Sequence, residues 1–125
     1  MIVRNAFSVP RRVGPSGHGG VGSIEHCRVF NAEDFESDWN SVSFDVLPPG
    51  CAIGVHEQRE EEIYFILEGH GIATVSGEEC EVGPGDMGLG RRGDTHGIRN
   101  HFSQPLKMVA IGVRVQSSLA QSPQS

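Results

Sequence analysis

Two segments, GCAIGVHEQREEEIYFILEG at residues 50–69 and GDMGLGRRGDTHGIRN at residues 85–100, decide the fold of this 125-residue chain. Each reads as short strands separated by glycine turns. In the first, residues 52–58 and 62–68 are rich in β-branched and aromatic side chains and flank a polar turn at Arg59 to Glu61. In the second, residues 87–90 lead through Arg91-Arg92-Gly93-Asp94, a turn sequence, to another strand beginning at His96.

Working outward, the same plan recurs. Strands are expected at 24–30, 41–47, 71–76, 79–82, 96–102 and 106–115, with turns at 48–50, 69–70, 76–77 and 83–85. The 17 glycines and 7 prolines are spread along the chain rather than gathered in a linker, which suits many short strands. Asn31 is placed to cap one short helical turn followed by Glu33 and Asp34. Residues 1–9 are expected as an edge strand and 10–22 as a flexible loop, so that 1–23 precede a barrel over 24–115 and 116–125 form a disordered tail. A sheet of so many strands must close or fold over to remove its edges, so the class is all-β, a sandwich or barrel.

Composition narrows the function. A net charge of −6 leaves no basic face for phosphate backbones or anionic lipid, so neither nucleic acid nor membrane is an expected partner. No run of about 18 apolar residues occurs, and a cytoplasmic location is expected. Cys27, Cys51 and Cys80 contain no CxxC pair and are read as reduced thiols. Cys51, five residues from His56, is assigned to the opposite strand face as a core thiol.

The chemistry concentrates in the two quoted segments. Residues two apart on a strand share a face about 7 Å apart, so His56 and Gln58 can address one ion. Glu62 opens the next strand, where hairpin pairing would bring its carboxylate beside His56, and His96 arrives from a distant strand. Two histidines and a carboxylate with open positions form the facial arrangement of non-haem iron sites, with Gln58 a candidate fourth, neutral oxygen donor. Tyr64 shares the face of Glu62, where its hydroxyl is a candidate catalytic group and its ring a candidate core residue. Arg91 is a candidate receptor for an anionic substrate. His18, His26, His70 and His101 have no partner at ligand spacing and are read as surface residues.

These segments resemble the paired motifs of the cupin superfamily. Gly50, His56, Glu62 and Gly69 stand in the register of its first motif, and Gly85, Gly93, His96 and Asn100 in that of its second. Two positions depart: Gln58 replaces a histidine and Arg91 a proline. The resemblance implies a double-stranded β-helix, or jelly-roll barrel, in a small single-domain protein. It also implies one divalent transition metal (Fe2+, Mn2+, Zn2+ or Ni2+) held by His56, Gln58, Glu62 and His96, acting on a small oxygenated substrate in an isomerase or cyclase, decarboxylase or dioxygenase reaction. The alternative is a non-catalytic small-molecule binder whose metal site is weak or lost. A homodimer is expected, formed by packing of sheets or by exchange of residues 1–9.

Overall fold

The computed structural model describes residues 1–115; the tail expected at 116–125 lies outside the described residues. Among the described residues ten strands form two antiparallel sheets: β1 (Arg12–Pro15), β2 (Ser23–Phe30), β3 (Trp39–Leu47), β4 (Ala52–Glu57), β5 (Glu61–Glu68), β6 (Gly71–Val75), β7 (Glu78–Val82), β8 (Met87–Gly90), β9 (Thr95–Arg99) and β10 (Leu106–Val113). One sheet runs β1-β2-β3-β10-β5-β8 and the other β4-β9-β6-β7. The sheets face each other as a jelly-roll sandwich, as the strand-and-turn pattern predicts. Asn31 caps a single 3-10 turn, Ala32–Asp34, through a reciprocal capping box. Among the described residues no helix is long and apolar enough to cross a membrane.

Alternation of side chains builds two apolar clusters on opposite faces of the larger sheet. Leu47, Ile66, Leu106 and Met108 point between the sheets and meet Ile53, Val82 and Ile98 of the smaller one. Leu47 and Leu106 are fully buried, each contributing about 2 kcal/mol of transfer free energy. Cys27, Val29, Phe44 and Val46 form the outer cluster, covered by Ala6 and Val9 of the N-terminal segment. Phe7 completes that cover with an edge-on contact to Phe44 at 5.3 Å, and Arg4 reaches over Phe30 and pairs with Asp34 at 2.7 Å.

Residues 1–9 are therefore not the edge strand expected of them. They carry no strand, and a turn at Asn5, whose carbonyl accepts from Ser8 and Val9, folds them back as a lid on the outer face of their own sheet. The first strand is Arg12–Pro15, inside the stretch read as a loop. Apolar burial against Phe44 outweighs the modest strand preference of a solvent-facing edge.

The motif glycines sit at the turns. Gly69 is the tightest: its φ is +82°, and a Cβ there would lie 2.2 Å from the Pro105 carbonyl oxygen, so the position admits glycine alone. Asn100 ends β9 as a buried clamp whose Nδ2 donates to Leu47 O at 3.0 Å and Gln104 O at 2.8 Å. Its Oδ1 accepts from the Phe102 N–H at 3.0 Å.

Candidate metal centre

β4 does not pair with β5 as a hairpin. Its partner is β9, and β5 lies in the other sheet between β10 and β8. The turn after β4 is captured first: Gln58 N–H donates to Asp94 O at 2.7 Å and Gly93 N–H to Gln58 O at 2.8 Å, so the chain crosses to the opposite sheet at residues 58–60. His96, distant in sequence, consequently stands directly opposite His56 across the β4–β9 pair. Their rings are 4.6 Å apart, tilted by 50°. Glu62 approaches from the facing sheet.

A bulge makes this possible. Between Ile53 and His56 the register slips, so that Ile53 faces Ile98 and His56 faces His96 although the first strand advances three positions and the second two. The same slip overturns the face assigned to Cys51, which packs into the inter-sheet cluster beside Ile53; the thiol is a core residue, but not by the parity argument. Within the bulge, His56 Nδ1–H donates to the Gly54 carbonyl at 2.9 Å. That hydrogen bond leaves Nε2 with a free lone pair, the usual arrangement of a metal-binding imidazole.

Gln58 is buried at 6 % exposure, and its Oε1 finds no hydrogen-bond partner, nor does His96 Nε2. Leaving two such atoms buried and unpaired costs about 1–3 kcal/mol each. Burial, reinforced by His56, lowers the His96 pKa and favours the neutral imidazole that metal binding requires. Glu62 Oε1 accepts from the Tyr64 hydroxyl at 2.9 Å. Burial and the Glu62 charge push the Tyr64 phenol far above its ordinary range, so it remains a donor.

The set of imidazole nitrogens, carboxylate and amide oxygen suits a first-row divalent ion; of the three buried side-chain atoms without a partner among the described residues, Gln58 Oε1 and His96 Nε2 are ones such an ion would satisfy, and the third is Glu60 Oε2, whose other oxygen accepts from Asn40. With Glu62 turned onto Tyr64, no three His, Cys, Asp or Glu side chains among the described residues stand gathered for coordination. Binding therefore requires side-chain rotation.

Behind the cluster lies a cavity of about 270 Å³, bordered by His56, Tyr64 and His96 and otherwise lined mainly by apolar groups such as Ile53, Ile66, Val82, Ile98 and Met108. It exists partly because Gly88 and Gly90, opposite Tyr64 and Glu62, put no side chain inward. Asp86 and Asp94 border it, but no lysine or arginine does.

Arg91 is placed elsewhere. Its side chain is 72 % exposed, extends toward Asp94 at 4.0 Å, and lines neither this cavity nor the recess at the barrel mouth. Its backbone N–H donates to Asp94 Oδ2 at 2.8 Å, a bond that a proline there would lack.

Two histidines read as surface residues are engaged. His26 meets Asp45 Oδ1 at 2.5 Å on the inner face of the larger sheet. His18 stacks on His56, rings 3.5 Å apart and 9° from parallel. Strand spacing contains no signal for His18; the only hint is its isolation in the glycine-rich run GPSGHGG.

The chain is a jelly-roll barrel with a histidine pair and a glutamate at its mouth, and comparison with known proteins places that fold in a family. The cupin domain profile matches residues 43–112. An oxalate-binding protein of Thermotoga maritima is 30% identical over 112 residues, covering 89% of this chain and 92% of that protein. A β-D-galactosidase of Mycobacterium tuberculosis is 28% identical over 112 residues, covering 89% and 93%. The crystal structure of a predicted oxalate decarboxylase from Thermotoga maritima superposes with a TM-score of 0.85 at 27% identity, over 92% of this chain and 100% of that one. The chain belongs to the cupin family.

Proposed function

We propose that this protein is a metal-dependent small-molecule cupin, in which His56, Glu62, His96 and Gln58 hold one divalent ion at the barrel mouth. The observation that carries this reading is the pair of buried, unpartnered atoms, His96 Nε2 and Gln58 Oε1, beside a largely apolar cavity. The substrate class that suits this arrangement has an oxygenated head at the histidines and an apolar body in the cavity.

A bound divalent ion supplies Lewis acidity toward a carbonyl or carboxylate oxygen. The chain's own residues do the rest. His56 is oriented by its bond to Gly54, Tyr64 keeps its proton and holds the Glu62 carboxylate with it, and the apolar walls exclude water, strengthening each polar interaction inside. The named relative binds oxalate. Here the cavity lining offers a dianion no lysine or arginine, so a monoanionic acid with an apolar tail fits the lining better than oxalate.

Gln58 favours a second reading, a binder without turnover, because an amide oxygen holds a divalent ion less firmly than an imidazole. Metal analysis of protein purified without added ions tests the metal assignment. Near-stoichiometric metal that disappears in His96→Ala is expected; metal-free protein that takes up no added Co2+, Mn2+ or Zn2+ would overturn it. Calorimetry of the loaded protein with oxalate and with a longer 2-oxo acid then ranks the substrate classes, and turnover of either acid decides against the binder.

A further inference from the structure

We propose that His18 is the third imidazole of this site, supplied by the N-terminal loop in place of the histidine that Gln58 replaces. The proposal rests on the reading above that the site holds a divalent ion. His18 lines the same recess at the barrel mouth as His56, Gln58 and Glu62, and its ring already covers that of His56.

The loop that carries it is built onto β4 rather than draped over it. Val21 N–H donates to Ala52 O at 2.9 Å and Ala52 N–H to Val21 O at 2.7 Å, while Gly54 N–H reaches Gly17 O at 3.3 Å. The buried Ser16 hydroxyl donates to Ala52 O at 2.6 Å. Two glycines let the backbones meet: a Cβ at Gly54 would lie 1.9 Å from His18 O, and one at Gly20 the same distance from Ala52 O. The loop is thus seated on the bulge that aims His56 inward. His18 itself is held at φ 53°, left-handed backbone that glycine adopts at less cost. What the position provides is the ring.

Parallel rings cannot aim their in-plane lone pairs at one ion. Coordination requires the exposed His18 side chain to turn off His56. Four donors, His18, His56, His96 and Glu62, would then restore a three-histidine, one-carboxylate set, with Gln58 beside it.

The test is Co2+ titration of metal-free full-length protein against a chromophoric chelator, with the ligand-field spectrum recorded. His18→Asn removes the imidazole while keeping a residue that tolerates left-handed backbone. It is expected to lower affinity at least about tenfold and to change the spectrum, whereas His101→Ala does neither. Adding Gln58→His to His18→Asn is expected to restore affinity toward the wild-type value. Wild-type affinity and spectrum in His18→Asn, with binding abolished in His96→Ala, would place His18 outside the site and leave the metal reading intact. A loss that Gln58→His does not repair would refute the exchange of roles. A wild-type protein that binds no Co2+, or a His96→Ala variant that binds it normally, would remove the metal reading and this proposal together.

Discussion

Tyr64 donates its hydroxyl to Glu62 Oε1 across 2.9 Å, two residues apart on one inward strand face. The bond occupies one oxygen of the carboxylate proposed to hold the ion and would orient it there. Removing the orienting partner of a metal ligand costs about 10–100-fold in affinity. Tyr64→Phe is accordingly expected to weaken Co2+ binding at least about tenfold; unchanged binding in the chelator competition would detach Tyr64 from the site.

The same tyrosine predicts an alkaline limb. The folded phenol holds its proton above the ordinary tyrosine pKa of about 10, because of burial first and Glu62 second. The unfolded chain therefore loses that proton first, and this contribution to stability, full below that pH, falls as pH rises. Since the chain has 1 tyrosine, tyrosinate absorbance should appear only with unfolding, and Tyr64→Phe should show a shallower alkaline decline in urea denaturation. Tyrosinate forming in the folded protein near the ordinary pKa would contradict this.

Asp34 predicts an acid limb of opposite sign. The Arg4 side chain, followed by the Asn31 N–H, holds the Asp34 carboxyl below its ordinary pKa. Its stabilisation is full above about pH 4 and is lost as pH falls through the folded value. The stability gap between wild type and Asp34→Asn should therefore narrow on acidification. A gap independent of pH would mean that the pair does not anchor the N-terminal lid.

Gly69→Ala adds a Cβ against the Pro105 carbonyl on left-handed backbone. A loss of at least about 2 kcal/mol is expected from strain and displacement together, measured as a lower urea midpoint with an unchanged slope. Alanine tolerated without loss would show that the β5–β6 turn can open away from residue 105.

Gly88→Val is expected to act in the other direction. A Cβ at Gly88 meets nothing within 4 Å, the position faces Tyr64 across the strand pair, and glycine within a strand costs about 0.5–1 kcal/mol. The variant should be more stable by about that amount, while uptake of an apolar fluorescent probe into the cavity falls. Probe binding equal to wild type would place the ligand elsewhere.

Much of this molecule was legible locally. Turn glycines such as Gly69 and Gly93, the β-branched runs between them and the spacing of His56, Glu62 and His96 are properties of short stretches, and they sufficed for most of the strands and for the cupin resemblance. Other features depend on which edges meet. β4 pairs with β9 because Gln58 is captured by the 93–94 turn, and no local pattern states that the chain changes sheets there. The bulge at Gly54 and Val55 breaks the alternation from which the face of Cys51 was inferred. The N-terminal segment and its neighbouring loop carry too little periodicity to announce their partners: residues 1–9 fold back on Phe44, and His18 stacks on His56 because glycines let two backbones approach. The sequence by itself thus determined most of the strands, their turns and three candidate residues of the site, since each is legible over a few residues. Only the tertiary structure decided how the sheets pair, which faces point inward and that His18 stacks on His56, because those are set by long-range packing.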